Sequence, residues 1–381
     1  MTEEALFARA AELGVQTEYH DVEGGHHRAD PAALAHVVAM LEADREAVGS
    51  VPRVGPPLHL DGPLVIDAEV TSATIGLAGS PHEVEVRLDR GRSEFAFPDL
   101  PHGCHVLEYE TDRGPGETVV VVAPPTMPRS DRFAGRGGLF APTYALWETD
   151  RPLPSFRHLH DLARTLERCG VAVVSTLPLY STFLDQPFDP SPYSPISRLH
   201  WNEIYLDDDD LPAAPVPDQG SVVDWRALAR RRREQLVGAA RSADAELTAQ
   251  LTTFVAANPD VGAYARFLAA REAGGDETVE RSHVLAQFLA DRQLRAIADD
   301  PGAAALALDL PIGSSPDGFE VWADPGMFAA GASVGAPPDS FFADGQNWGF
   351  PPPLPAAMQA SGHRLWRQLI ARVGRYADIL R

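Results

Sequence analysis

Two apolar runs, 138–143 and 171–177, bracket a segment whose apolar residues recur at helical spacing, and this arrangement leaves few folds open. Phe156, Leu159, Leu162, Ala163, Leu166 and Cys169 share one face of the predicted helix, with Ser155 suited to cap its start and Gly170 to end it. A strand, a helix and an apolar strand in immediate succession predict a parallel sheet covered on both faces, because the crossover helix must lie over the sheet. The run 303–310 predicts a third buried strand, preceded by a helix through 284–298. A long last helix, over roughly 356–378, is predicted to turn Met358, Leu365, Trp366, Leu369, Val373 and Tyr376 inward. The helical stretch 224–271 lies between the second and third strands and reads as an inserted subdomain. Its four arginines, 230–233, read as a solvated helix face. This order suits a (β/α)8 TIM barrel of which about three strands are present.

Upstream the rhythm differs. Residues 1–50 predict a small helical segment with two short apolar faces, Leu6, Ala10 and Leu13, then Leu34, Val37, Val38 and Leu41. Between them Gly24, Gly25, His26 and His27 read as a solvated turn. Short alternating runs at 64–70, 83–88, 94–97, 105–109 and 118–122, separated by Gly, Pro, Asp and Ser, predict an antiparallel β-sandwich over 51–122. The Pro- and Arg-rich stretch 123–136 reads as a linker. The barrel portion is then 137–381, with the helical insertion at about 211–275.

The chain has 381 residues, ample for more than one domain, and 44% hydrophobic residues to build cores. A formal net charge of −22 argues against a nucleic-acid partner, which requires clustered Lys and Arg. No apolar run approaches the roughly 20 residues of a membrane span. The acidic start MTEEALFARAAEL lacks the features of a secretion signal, so a cytoplasmic location is expected. The two cysteines, Cys104 and Cys169, have no metal-type spacing and read as small buried hydrophobes. The acidic run 207–210 lacks the alternation of a cation loop and reads as a solvated turn.

Three stretches carry the chemistry: SPYSPISRLHWNEIYLD (191–207), ALDLPIGSSPDGFEVWADP (307–325) and SVGAPPDSFFADGQNWGFPPP (333–353). Each falls after a strand, where barrel enzymes keep their reactive groups. Tyr193 offers a flat face and a hydroxyl, and Asp309 closes the third strand. Taken by itself, an aspartate in that position is a cap or loop anchor. Prolines and glycines preset the third stretch, so that Asp339, Gln346 and Trp348 can be held rigid while exposed. A tryptophan packed into a proline-rich corner is the alternative.

These stretches resemble amylomaltase, the 4-α-glucanotransferase of glycoside hydrolase family 77 in the amylase clan. The resemblance implies a retaining double displacement that transfers 1,4-α-glucan segments between maltooligosaccharides. It implies substrate-binding roles for Tyr193, Asn202, Asp309, Asp339, Gln346, Trp348, Pro351 and Arg381, with no cofactor and no metal. In the family, a leucine and an arginine like Leu380 and Arg381 lead within two residues to the nucleophilic aspartate. The resemblance therefore places the nucleophile just after Arg381 and no catalytic residue within this chain, which is expected to be inactive alone. Expected partners are α-1,4-glucans, together with a second polypeptide completing the barrel or self-association. The alternative is a non-catalytic glucan-binding or scaffold protein derived from that family.

Overall fold

The structure, a computed structural model, describes the chain except for Met1 and residues 22–23, 50–53, 60–63, 66–69, 78–82, 86–93, 96–99, 113, 127–130, 185, 218–222 and 273–275. Parts of the runs 64–70, 83–88 and 94–97 therefore lie outside the described residues. The chain divides into two compact units. One comprises Met1–Arg129, Gly326–Trp348 and Pro352–Arg367; the other comprises Ser130–Pro325, Gly349–Pro351 and Gln368–Arg381.

The second unit is built on a parallel sheet whose four strands lie in chain order: Gly138–Phe140, Val173–Ser175, Ala305–Leu308 and Ile379–Leu380. Leu139 pairs with Val174, Val174 with Leu306, and Leu308 with Leu380. The fourth strand adds to the three that the apolar runs predict; at two residues it is too short to register as a run. The helix Phe156–Arg168 forms as its pattern predicts, with the Ser155 hydroxyl accepting from His158 N and Phe156, Leu159, Ala163 and Leu166 buried. Around the sheet the core is aromatic as well as aliphatic. Trp201 stacks on Tyr180 at 5.1 Å and meets the edge of Tyr376 at 5.2 Å.

Between the second and third strands run four helices, Trp225–Arg241, Ala245–Ala257, Pro259–Glu272 and Glu277–Ala298. Here two expectations are overturned together. The arginine run is not a solvated face: Arg232 is only 1% exposed and Arg231 is also buried. Nor is the acidic turn simply solvated. Asp208 accepts from both Arg231 and Arg232, which also bond to the carbonyls of Ala214, Pro215 and Leu206. Each guanidinium carries five donors, so two arginines satisfy a whole stretch of loop carbonyls that no helix or strand pairs.

Nearby, His283 is buried with Nδ1 3.7 Å from Glu203 and Nε2 3.0 Å from Glu272, and Arg233 bridges the same two carboxylates. Burial opposes the charged imidazole, but the carboxylates of Glu203 and Glu272 beside it outweigh that and raise its pKa above the ordinary 6.5. Burial likewise opposes ionisation of Glu203, yet Arg233 and His283 hold it down to about 2. The His283 contribution to stability is therefore complete below 6.5 and lost as pH rises through the raised folded value. The Glu203 contribution is complete above its ordinary 4.5 and lost as pH falls toward 2. The urea midpoint is expected to decline as pH rises above 6.5, and His283→Gln to flatten that decline. Equal slopes in the two proteins would contradict the assignment.

The single long helix expected at the end is instead two, Pro355–Ala360 and Arg364–Val373. Gly362 has φ 59°, and its N–H and that of His363 bond back to Gln359 and Met358, the pattern by which a left-handed residue closes a helix. The cysteines also differ from expectation. Cys169 is exposed and Cys104 half-buried, both as free thiols. Cys169 caps a helix end beyond its last buried residue, Leu166, where the chain turns outward.

In the first unit the helix Glu3–Glu12 packs on Pro31–Gly49 through Leu6, Phe7, Ala10, Leu34 and Val38. His26 and His27 belong to a strand, His26–Arg28, paired with Glu18–His20, rather than to the turn itself. A five-stranded sheet follows in the order Val54–His59, Gly114–Val122, Gly103–Thr111, Val70–Gly76, Glu83–Glu85, with a separate pair, Leu64–Val65 and Glu94–Phe95. It is not wholly antiparallel, since Val54–His59 joins its neighbour in parallel. That direction is invisible in a run's alternation, which is the same for either pairing. Among the described residues, no helix is long and apolar enough to cross a membrane.

Candidate functional site

Asp309 follows directly on the strand Ala305–Leu308 and is buried. The adjacent strand places Arg381 beside it: Arg381 N donates to Leu308 O, and Arg381 O accepts from Leu310 N. The Arg381 guanidinium reaches Asp309 Oδ2 at 2.8 Å, and the Tyr193 hydroxyl donates to the same oxygen at 2.8 Å. Three residues spaced across nearly half the chain thus meet at one carboxylate. Among the described residues Asp309 Oδ1 has no hydrogen-bond partner, which leaves it able to accept from a ligand. Partial burial and the bond to Asp309 push up the Tyr193 phenol, so it remains a protonated donor at neutral pH.

The segment that follows Tyr193 is anchored by two residues that sequence reasoning did not single out for this role. Arg198, five positions on, is buried against Glu320 of the short helix Phe319–Ala323. Glu320 accepts from Arg198 N at 2.5 Å, Arg198 Nε at 3.0 Å and Ser314 Oγ at 2.7 Å. Arg198 also donates to Ile312 O at 2.7 Å, within the loop that follows Asp309. Backbone bonds from Ser315 N to Pro195 O and from Phe319 N to Ile196 O complete the seam. An arginine and a glutamate 122 residues apart carry no local signal, since charged residues usually face solvent.

The seam needs Gly318. A Cβ there would stand 2.5 Å from Ile196 O and 2.8 Å from Ser315 O, both backbone atoms that cannot swing aside. Gly318→Ala is expected to cost about 1–3 kcal/mol of stability through this overpacking. A thermal melt reads it, and an unchanged midpoint would show that the loops are not tightly seated.

The structure brings Tyr193, Asp309 and Arg381 together but commits Asn202 elsewhere. Asn202 is buried, accepts from Ile204 N and donates to Thr182 Oγ1 at 3.1 Å, holding the turn Glu203–Tyr205. Pro351, in the same unit, is half-buried beside Phe350, which packs where a Cβ on Gly313 would fall. Asp339, Gln346 and Trp348 belong to the other unit, on the short hairpin that pairs Gly335–Ala336 with Gln346–Asn347. There Asp339 Oδ1 accepts from Phe341 N and Phe342 N, so its carboxylate shapes the hairpin tip. Trp348 is exposed and its Nε1 donates to Gln346 Oε1 at 3.2 Å, which orients the indole. The same tip carries Phe341, 90% exposed, which sequence reasoning passed over. An exposed ring so fully in water is the signal that could have found it, and exposure is not written in the sequence.

Chemically, one carboxylate, one phenol and one guanidinium around a rim suit the recognition of hydroxyl groups. Among the described residues, Tyr193 and Arg381 meet no second carboxylate that could share acid–base work with Asp309.

Residues 144–282 and 276–381 match the family described as 4-alpha-glucanotransferase, glycoside hydrolase family 77. The 4-alpha-glucanotransferase of Mycobacterium tuberculosis is 26% identical over 351 residues, covering 76% of this chain and 48% of that protein. That of Haemophilus influenzae is 33% identical over 99 residues, covering 25% of this chain and 14% of that protein. The crystal structure of amylomaltase from Corynebacterium glutamicum aligns with a TM-score of 0.78 at 22% identity, covering 100% of this chain and 65% of that one. An amylomaltase from Streptococcus agalactiae in complex with acarbose aligns with a TM-score of 0.56 at 22% identity, covering 64% of this chain and 58% of that one. At these identities the likeness is one of fold. The chain spans about half the length of the mycobacterial relatives it matches.

Proposed function

The chain belongs to glycoside hydrolase family 77, the 4-alpha-glucanotransferases, and from that premise we propose that it forms the glucan-holding part of such a transferase. In this reading the whole enzyme moves 1,4-α-glucan segments between maltooligosaccharides by double displacement. The observation that carries it is the convergence of Tyr193 and Arg381 on Asp309, with one carboxylate oxygen left for a sugar hydroxyl. On the first unit, Gln346 and Trp348 offer a polar and a stacking contact of their own, with Asp339 shaping their hairpin. Asn202 and Pro351 act by holding loops.

Retaining transfer needs two carboxyl groups roughly 5–5.5 Å apart, one to attack and one to protonate the leaving oxygen. The Tyr193 cluster has one, already shared by two donors, so in this reading it holds the glucan while other residues supply the reacting pair, and this chain alone does not catalyse transfer. The architecture that accords with this is a small helical segment over 1–50, a β-sandwich over 51–122, a linker over 123–136 and the first part of a (β/α)8 barrel over 137–381, with a helical insertion at about 211–275. Among the described residues no further strand pairs with either edge of the four-stranded sheet, whose edge strands expose Leu139 (42%), Phe140 (53%) and Leu380 (42%). Such edges favour completion by further strands, supplied by a second polypeptide or by self-association. A cytoplasmic setting suits a maltooligosaccharide substrate.

Calorimetric titration with maltoheptaose and a glucose-release assay on maltotriose test the reading together. Expected are measurable binding and no glucose release by the chain alone. Binding without release, persisting after polypeptides bearing the missing carboxylates are added, would favour a non-catalytic glucan-binding protein. Absence of binding would overturn the proposal.

A further inference from the structure

Between the helices Trp225–Arg241, Pro259–Glu272 and Glu277–Ala298 and residues 181–184, Gln186 and 196–204, wholly within the second unit, the structure has a cavity of about 870 Å³. That is the size of sites that take small organic ligands. Phe183, Leu184, Ile196 and Leu268 give it an apolar wall, and all four are buried. The charged groups on it fall into two sets. In the first, Arg233 and His283 face Glu203 and Glu272, and their charges offset one another.

The second set is not offset. Arg226 and Arg230 lie on the same helix as Arg233, four and three residues apart along one face, and Arg271 comes from the helix Pro259–Glu272. Among the described residues, none of Arg226, Arg230 and Arg271 has a carboxylate within ion-pair distance. Glu234 is the remaining acid of the lining. Arg226 sits over the Phe188 ring at 3.9 Å, and Arg271 sits over Phe183 at 4.9 Å and Phe267 at 5.5 Å. Stacking uses the face of a guanidinium and leaves its N–H edge available. A chain of net charge −22 has carboxylates to spare, so three arginines without one around a single cavity stand against the general composition. Arginine edges match the oxygens of a phosphate in pairs.

We propose that this cavity binds a phosphorylated small molecule the size of a sugar phosphate or a nucleotide. The phosphate is held by Arg226, Arg230 and Arg271, and the body of the ligand rests on Leu184, Ile196 and Leu268. The inference is independent of glucan binding at Tyr193 and Asp309.

Titration calorimetry and thermal shift at low ionic strength test it, with pyrophosphate, glucose 1-phosphate and ATP as probes and glucose and adenosine as their uncharged counterparts. At least one phosphorylated probe is expected to bind and raise the melting temperature, while glucose and adenosine do not. The preference between glucose 1-phosphate and ATP identifies the body of the ligand. Arg230→Glu combined with Arg271→Glu is expected to weaken that probe at least tenfold. Arg168→Glu, a charge reversal of equal kind on the helix Phe156–Arg168, is expected to leave it unchanged. No binding of any phosphorylated probe at millimolar concentration, or equal weakening by Arg168→Glu, would overturn the proposal. So would tight binding of an uncharged counterpart that survives the double variant.

Discussion

Glu320→Ala is expected to lower the stability of the protein by about 3–5 kcal/mol, because it strands the Arg198 guanidinium in the interior without its counter-charge. The Glu320 and Arg198 side chains are 1% and 3% exposed, so water cannot take over the lost contacts. Glu320 also accepts from Arg198 N and Ser314 Oγ, and both donors would be orphaned with it. The effect reaches the loop that follows Asp309, since Arg198 also donates to Ile312 O there. Urea denaturation measures the loss. Glu320→Gln keeps the shape and part of the hydrogen bonding and is expected to cost less. Arg198→Met combined with Glu320→Leu removes both charges and is expected to recover part of the stability. A single variant as stable as the parent would show that the pair is not what seats the loop.

Asp309→Ala is expected to reduce maltoheptaose affinity by about 10- to 100-fold, as charged hydrogen bonds are worth about 1.5–3 kcal/mol each. It removes the acceptor that aligns Tyr193 and Arg381 as well as the oxygen left for the ligand. Stability should change little, because Arg381 is 68% exposed and Tyr193 also reaches solvent, so water can replace the lost partner. Tyr193→Phe keeps the ring and loses one hydroxyl, with an expected affinity loss of about fivefold. Calorimetric titration separates the two. Equal affinity in Asp309→Ala and the parent would remove the cluster from the glucan site.

The cluster was legible in part because each of its members closes a motif. Asp309 ends an apolar run, Tyr193 lies in SPYSPISR, and Arg381 was singled out through the family resemblance alone. Asn202 shows the limit of such reading. It sits in the right stretch, but its amide is spent on Thr182 and on the turn after it. The arginine run shows the opposite error. Charge suggests solvent, yet Arg231 and Arg232 turn inward to carbonyls and to Asp208, a partner more than twenty residues upstream.

Residue order alone was enough for the parallel sheet, the capped helix Phe156–Arg168 and the presence of helices between the second and third strands, because periodicity and capping act within a few residues. The family, too, was written in its motifs. Folding was required for everything that joins distant positions: the Arg198–Glu320 pair, the burial of Arg232, the two-residue strand beside Asp309 and the arginines of two helices that line one cavity. A charge in a sequence does not announce whether it will meet water or an opposite charge. That is settled only when the chain has closed around it and the cost of burial must be offset by a partner.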